Sequence, residues 1–106
     1  MNFSFEQIES AVIEAKQLAA QATQNYIDKN GENYPCGFAW IKVNEKGSTK
    51  LGKALMKLGF DKAYGGGLQM WNPSGSYTQD MYAKEAGAIA AADVLESILN
   101  IKVYAQ

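Results

Sequence analysis

The sequence predicts an α+β domain: two long helices, one short helix and a small sheet of about three strands, arranged in two layers. Three observations predict it. Apolar and small residues recur at helical spacing in one long stretch near each end of the chain. Short stretches between and after them are rich in aromatic and β-branched residues, the composition of strands. The resulting order, α-β-α-β-α-β, is that of a small layered domain. At 106 residues the chain is expected to form one domain over 1–106.

The first helix is the best marked. Ser4 and Gln7 form an S-x-x-Q capping box, with Phe3 and Ile8 placed as a hydrophobic staple. The helix is expected from about residue 5 to Lys29, closed by Asn30-Gly31. Ile8, Val12, Ala15, Ala19, Ala22 and Tyr26 recur at alternating steps of four and three residues and form one stripe. Its alanine centre lets another helix approach closely. Glu6, Gln17, Gln21 and Gln24 lie on the opposite, solvent-facing side.

Tyr34-Pro35-Cys36-Gly37 is a non-helical lead-in to a strand over Phe38–Val43. Ala39, Ile41 and Val43 share one face of that strand; Phe38, Trp40 and Lys42 share the other. After the turn Asn44–Gly47, Ser48 or Thr49 caps a short helix with Leu51, Ala54, Leu55 and Leu58 on its apolar face, and Gly59 ends it. Leu68–Trp71 is expected as a short strand between two glycine-rich turns. Thr78 is expected to cap the third helix, with Asp80 in its first turn and Tyr77 and Tyr82 as a staple. This helix should run to about Leu99, with Ala83, Gly87, Ala90, Ala91, Val94 and Ile98 as its main stripe and Ile89 set apart. Asn100 is the expected C-cap, and Ile101–Tyr104 reads as a last, edge strand. The two long helices, with matching small-residue stripes, should pack together or each on the sheet. Few strands leave open edges, and pairing across a homodimer would cover one of them.

Composition narrows the chemistry. There is no histidine, and all ten basic residues are lysines. The first absence excludes His-based triads, Cys–His dyads and His-containing metal sites. The second removes the bidentate guanidinium clamp for phosphates, carboxylates and guanine edges. One cysteine, Cys36, cannot form an intramolecular disulfide, which suits a reducing interior. Without a base to lower its pKa, it reads as a structural thiol. Residues 1–6 lack a signal peptide's pattern, and no apolar stretch reaches membrane-spanning length. A cytoplasmic protein with no membrane partner is expected. Carboxylate pairs such as Glu6/Glu9 and Asp93/Glu96 lie on predicted solvent faces without calcium-loop spacing, so neither a metal site nor a cofactor is expected.

Gly47-Ser48-Thr49-Lys50-Leu51-Gly52-Lys53 matches G-x-x-x-x-G-K between a strand and a helix. Ala54 follows, where a P-loop needs a Ser or Thr hydroxyl for Mg²⁺, and the apolar face from Leu51 onward requires a helix already there. The P-loop reading is therefore set below a simpler one, an anion at a helix N-terminus, with Ser48, Thr49, Lys50 and Lys53 as candidates. Lys46, Lys50, Lys53 and Lys57 share a helix side. With a net charge of −1 and no arginine, this stripe reads as a solvated face paired with acidic neighbours, and nucleic acid is not expected as a partner.

The densest cluster of candidate binding residues is Trp40, Gly65, Gly66, Gly67, Gln69, Trp71, Asn72 and Ser74. If the two central strands pair, Trp40, Trp71, Phe38 and Gln69 share a sheet face. Aromatic walls beside amides and permissive glycines describe a protein interface or a small-molecule pocket. The plainer reading is that the tryptophans cover the sheet beneath a helix.

Cys36-Gly37-Phe38-Ala39-Trp40, Leu51-Gly52-Lys53-Ala54-Leu55, Gly65–Gly67, Trp71–Gly75 and Glu85–Ala88 together resemble small uncharacterised proteins of bacteriophages and marine metagenomes, over about residues 34–95. The resemblance implies a phage-type accessory protein acting in a bacterial cytoplasm, and it carries over no catalytic residue. The expected function is a non-enzymatic interaction protein, a homodimer with a protein partner. The alternative is a small-ligand or nucleotide-binding enzyme with its site between Gly47–Lys53 and Gly65–Ser74.

Overall fold

The computed structural model describes residues 3–31, 39–63, 65–75 and 81–105. Seven elements follow in order: α1 (Phe5–Asn30), β1 (Trp40–Val43), α2 (Lys50–Lys57), β2 (Asp61–Lys62), β3 (Leu68–Trp71), α3 (Met81–Leu99) and β4 (Val103–Ala105). The expected α+β class is the observed one. Among the described residues the sheet has four strands in the order β2-β3-β1-β4, with every pairing antiparallel.

The first helix starts where its cap dictates. Gln7 N–H donates to Ser4 Oγ at 3.1 Å, and Ser4 N–H donates back to Gln7 Oε1 at 2.8 Å. Two otherwise orphaned donors are thus satisfied. Ser4→Ala is expected to lower stability by about 1 kcal/mol, read as a shift in the urea midpoint at unchanged slope. Gly31 closes the helix at φ 77°, its N–H donating to Ile27 O at 2.7 Å.

The helices α1 and α3 pack antiparallel. Thr23, late in α1, donates its hydroxyl proton to Ala83 O, early in α3, at 2.8 Å, while Gln7 and Ala11 share a cavity wall with Ile98. The short α2 packs on α1, and α3 crosses β1 and β4. Ile8, Val12, Ile41, Val43, Leu55, Phe60, Leu68, Leu95 and Leu99 meet in one core between helices and sheet.

Four expectations are corrected. The stripe of α3 is shifted: Leu95 and Leu99 are buried with Ala88 and Ala92, while Ile98 is exposed and Ala90 and Val94 are only half-buried. In α1, Ala11 and Thr23 are buried, whereas Ala22 and Tyr26 are half-buried. The sheet gains β2, a two-residue strand absent from the expected three. The last strand begins at Val103, after Asn100 at φ 53° turns the chain. The expected Tyr34–Gly37 lead-in, Phe38, and the cap and staple residues Tyr77, Thr78 and Asp80 lie outside the described residues.

Candidate functional site

Strand alternation sorts the sheet into two faces. Ile41, Val43, Leu68, Met70 and Val103 point into the core and are buried. The other face carries Trp40, Lys42, Gln69, Trp71, Tyr104 and Asp61, all half-buried or exposed. Registers place these residues in two rows. Asp61 pairs with Gln69, Gln69 with Lys42, and Lys42 with Tyr104, giving one row across all four strands. Trp40 pairs with Trp71 in the row beside it. Directly opposed side chains in such a pair stand about 5 Å apart at Cβ, close enough to act as one aromatic surface. Trp71 is 58% exposed and Tyr104 41%. Lys102 Nζ lies 5.6 Å from the Tyr104 ring centroid, within range of a cation–π contact, and 3.8 Å from Glu96 Oε2.

The structure brings only part of the predicted cluster together. Trp40, Gln69 and Trp71 share the outer face as expected, with Phe38 outside the described residues. The glycines and the Asn72–Ser74 turn lie at opposite ends of β3. Gly65, Gly66 and Gly67 have φ of 89°, 110° and 77°, and they turn β2 into β3 through Ala63 N–H to Gly67 O at 2.9 Å. Three successive left-handed residues account for the glycine triplet without a ligand. At the other end, Asn72 takes φ 47° and donates its N–H to Ala39 O at 2.9 Å, while Ser74 Oγ donates to Asn72 Oδ1 at 3.1 Å. Pro73 is buried and anchors this turn.

The G-x-x-x-x-G-K segment folds differently from a phosphate loop. Thr49 is the N-cap of α2, and its hydroxyl accepts the Gly52 N–H at 3.0 Å. The same hydroxyl lies 2.5 Å from Glu45 Oε2 and donates to it. Gly52 is inside the helix, and its amide is satisfied within the chain. Ser48 and Lys50 are exposed beside it, as is Lys53 one turn on. The lysine side of α2 is solvated as expected. Its pairing is not as expected: among the described residues, none of Lys46, Lys50, Lys53 and Lys57 has a carboxylate within 4.0 Å.

Two residues escaped sequence reasoning. Tyr104 belongs to the outer face, and the alternation of Lys102 and Tyr104 was the signal for it. Lys84, in the first turns of α3, is only 8% exposed. Nothing in the sequence marks it, because it sits at helical spacing from Ala88 among small residues that obscure the buried side. Among the described residues no group of three or more Cys, Asp or Glu is placed to hold a metal ion. No helix among them is long and apolar enough to cross a membrane. Comparison with protein-family models, with curated proteins and with solved structures finds no match.

Proposed function

We propose that the protein is a non-enzymatic interaction module, and that a second copy of the chain covers its outer sheet face. One observation carries the reading. The helices occupy one side of the sheet, and the other side presents Trp40, Trp71 and Tyr104 with Trp71 more than half exposed. Tryptophan and tyrosine supply large contact area at low entropic cost and dominate interface energetics.

The face suits its own copy. The row Asp61–Gln69–Lys42–Tyr104 runs from an acidic end to an end flanked by Lys102. A two-fold rotation about an axis parallel to the strands reverses that row, setting Asp61 over Tyr104 of the second copy, beside its Lys102, and the Trp40–Trp71 pair over its equivalent. Such an isologous contact is self-complementary in shape and sign. Pairing through an edge offers less. β2 has two residues and β4 three, so neither gives a long ladder.

Light scattering coupled to sizing chromatography tests this. The wild type is expected to be a dimer. Trp71→Ala is expected to be a folded monomer whose urea midpoint, unlike that of the wild type, does not rise with protein concentration. Asp61→Lys is expected to weaken the dimer, more so at low salt. A wild-type monomer across the accessible concentrations, or a Trp71→Ala dimer as tight as wild type, refutes the proposal.

A further inference from the structure

We propose a second, independent site: the cleft between the first turn of α1 and the lysine side of α2 binds a small organic anion with an apolar ring, an aryl phosphate in its simplest form. It lies in the helical layer, away from the outer sheet face, and does not depend on the dimer.

Phe5, Ile8, Lys50, Lys53, Ala54 and Lys57 line a concave cavity of about 200 Å³. The two walls differ in chemistry. Phe5 and Ile8 of α1, with Ala54 of α2, give an apolar side, and Phe5 is more than a third exposed. Lys50, Lys53 and Lys57 step by three and four residues along α2, so their stems leave the same side of the helix. Lys57 Nζ lies 5.9 Å from the Phe5 ring centroid, so the cation already reaches over the aromatic wall.

Like charges at this spacing repel one another, and cations in a first helical turn oppose the helix dipole. Internal carboxylates ordinarily relieve such crowding. Here, among the described residues, none comes within 4.0 Å of the three ammonium groups. An anion in the cleft would supply the missing charge while its ring rests on Phe5 and Ile8. The cavity is small beside typical ligand pockets of about 300–1,000 Å³, which fits a single-ring anion better than a dinucleotide. Lysine donors are point charges without a fixed fork, so recognition rests on charge number and the apolar wall.

Phenyl phosphate is the probe, with inorganic phosphate as comparison, titrated into ¹⁵N-labelled protein by NMR. The expected result is saturable shifts confined to the amides of residues 5–8 and 50–57, with phenyl phosphate binding more tightly than inorganic phosphate. Lys53→Gln with Lys57→Gln is expected to weaken binding about tenfold. Phe5→Ala is expected to reduce phenyl phosphate to the affinity of inorganic phosphate, while the amide spectrum shows both variants folded. Equal binding of the two probes to wild type overturns the proposal, since it reports only a screened lysine patch. So do shifts centred elsewhere, or no saturable shift at millimolar ligand.

Discussion

Gly52→Ala is expected to destabilise the protein by about 3 kcal/mol, against the usual sign of that substitution. In an exposed helix interior, replacing glycine by alanine stabilises by about 1 kcal/mol. Gly52 has no such freedom. A Cβ built on it would stand 1.9 Å from Lys46 O and 2.9 Å from Lys46 C, far inside contact distance. That carbonyl is held in place, because it accepts Thr49 N–H at 3.3 Å and lies 3.0 Å from the Thr49 hydroxyl. Moving it aside would disturb the cap that starts α2. Urea unfolding of Gly52→Ala measures the loss; a midpoint above wild type would show that the turn yields and the contact is unimportant. The result bears on function as well. A packing glycine explains the second glycine of G-x-x-x-x-G-K through the approach of the preceding turn, leaving no need for a phosphate to require it.

Capping boxes and stripes are local, and they made α1 and α2 legible. Ser4, Gln7 and Thr49 sit within three residues of the amides they satisfy, so the sequence alone places them. β3 was legible because two glycine-rich turns bound it. β2 was not: Asp61 and Lys62 carry no strand signature, and they pair only because the glycine turn folds them back along Leu68 and Gln69. The third helix failed in its register for a different reason. Alanine and glycine surround it, so apolar contrast around the helix is weak, and Leu95 and Leu99 choose the buried side through tertiary packing. Burial of Lys84 follows from that same choice and could not be read beforehand.

The outer sheet face divides in the same way. Alternation put Trp40 with Lys42, and Gln69 with Trp71, on common faces. Their joining into one surface depends on the β1–β3 register, which no local rule supplies. Tyr104 required the further pairing of β4 with β1. The lysine stripe of α2 was visible as spacing. Its apolar wall was not, because Phe5 and Lys57 are far apart in sequence and meet only where α2 packs on α1.

Gly87→Ala is the second large effect, expected at about 2–3 kcal/mol of destabilisation, and it tests how closely the two long helices must approach. A Cβ there would lie 2.4 Å from Thr23 Oγ1, 3.0 Å from Ala19 O and 3.1 Å from Ser74 Cβ. Thr23 cannot simply rotate away, since its hydroxyl is buried and donates to Ala83 O across the helix pair. Thr23→Ala alone is expected to cost about 1–2 kcal/mol for that hydrogen bond and its packing. Combined, the two substitutions should be less harmful than their sum by about 1 kcal/mol or more, because removing the hydroxyl clears the space the new methyl needs. A residual cost should persist from Ala19 O and Ser74, which stay in place. Additive losses would mean that the helices separate freely at this crossing. Sub-additive losses would mean that Gly87 and Thr23 set the distance between α1 and α3. The turn bearing Ser74 rests against the same crossing and leads directly from Trp71. Its position at the end of the outer sheet face is therefore tied to the spacing of the helices behind it.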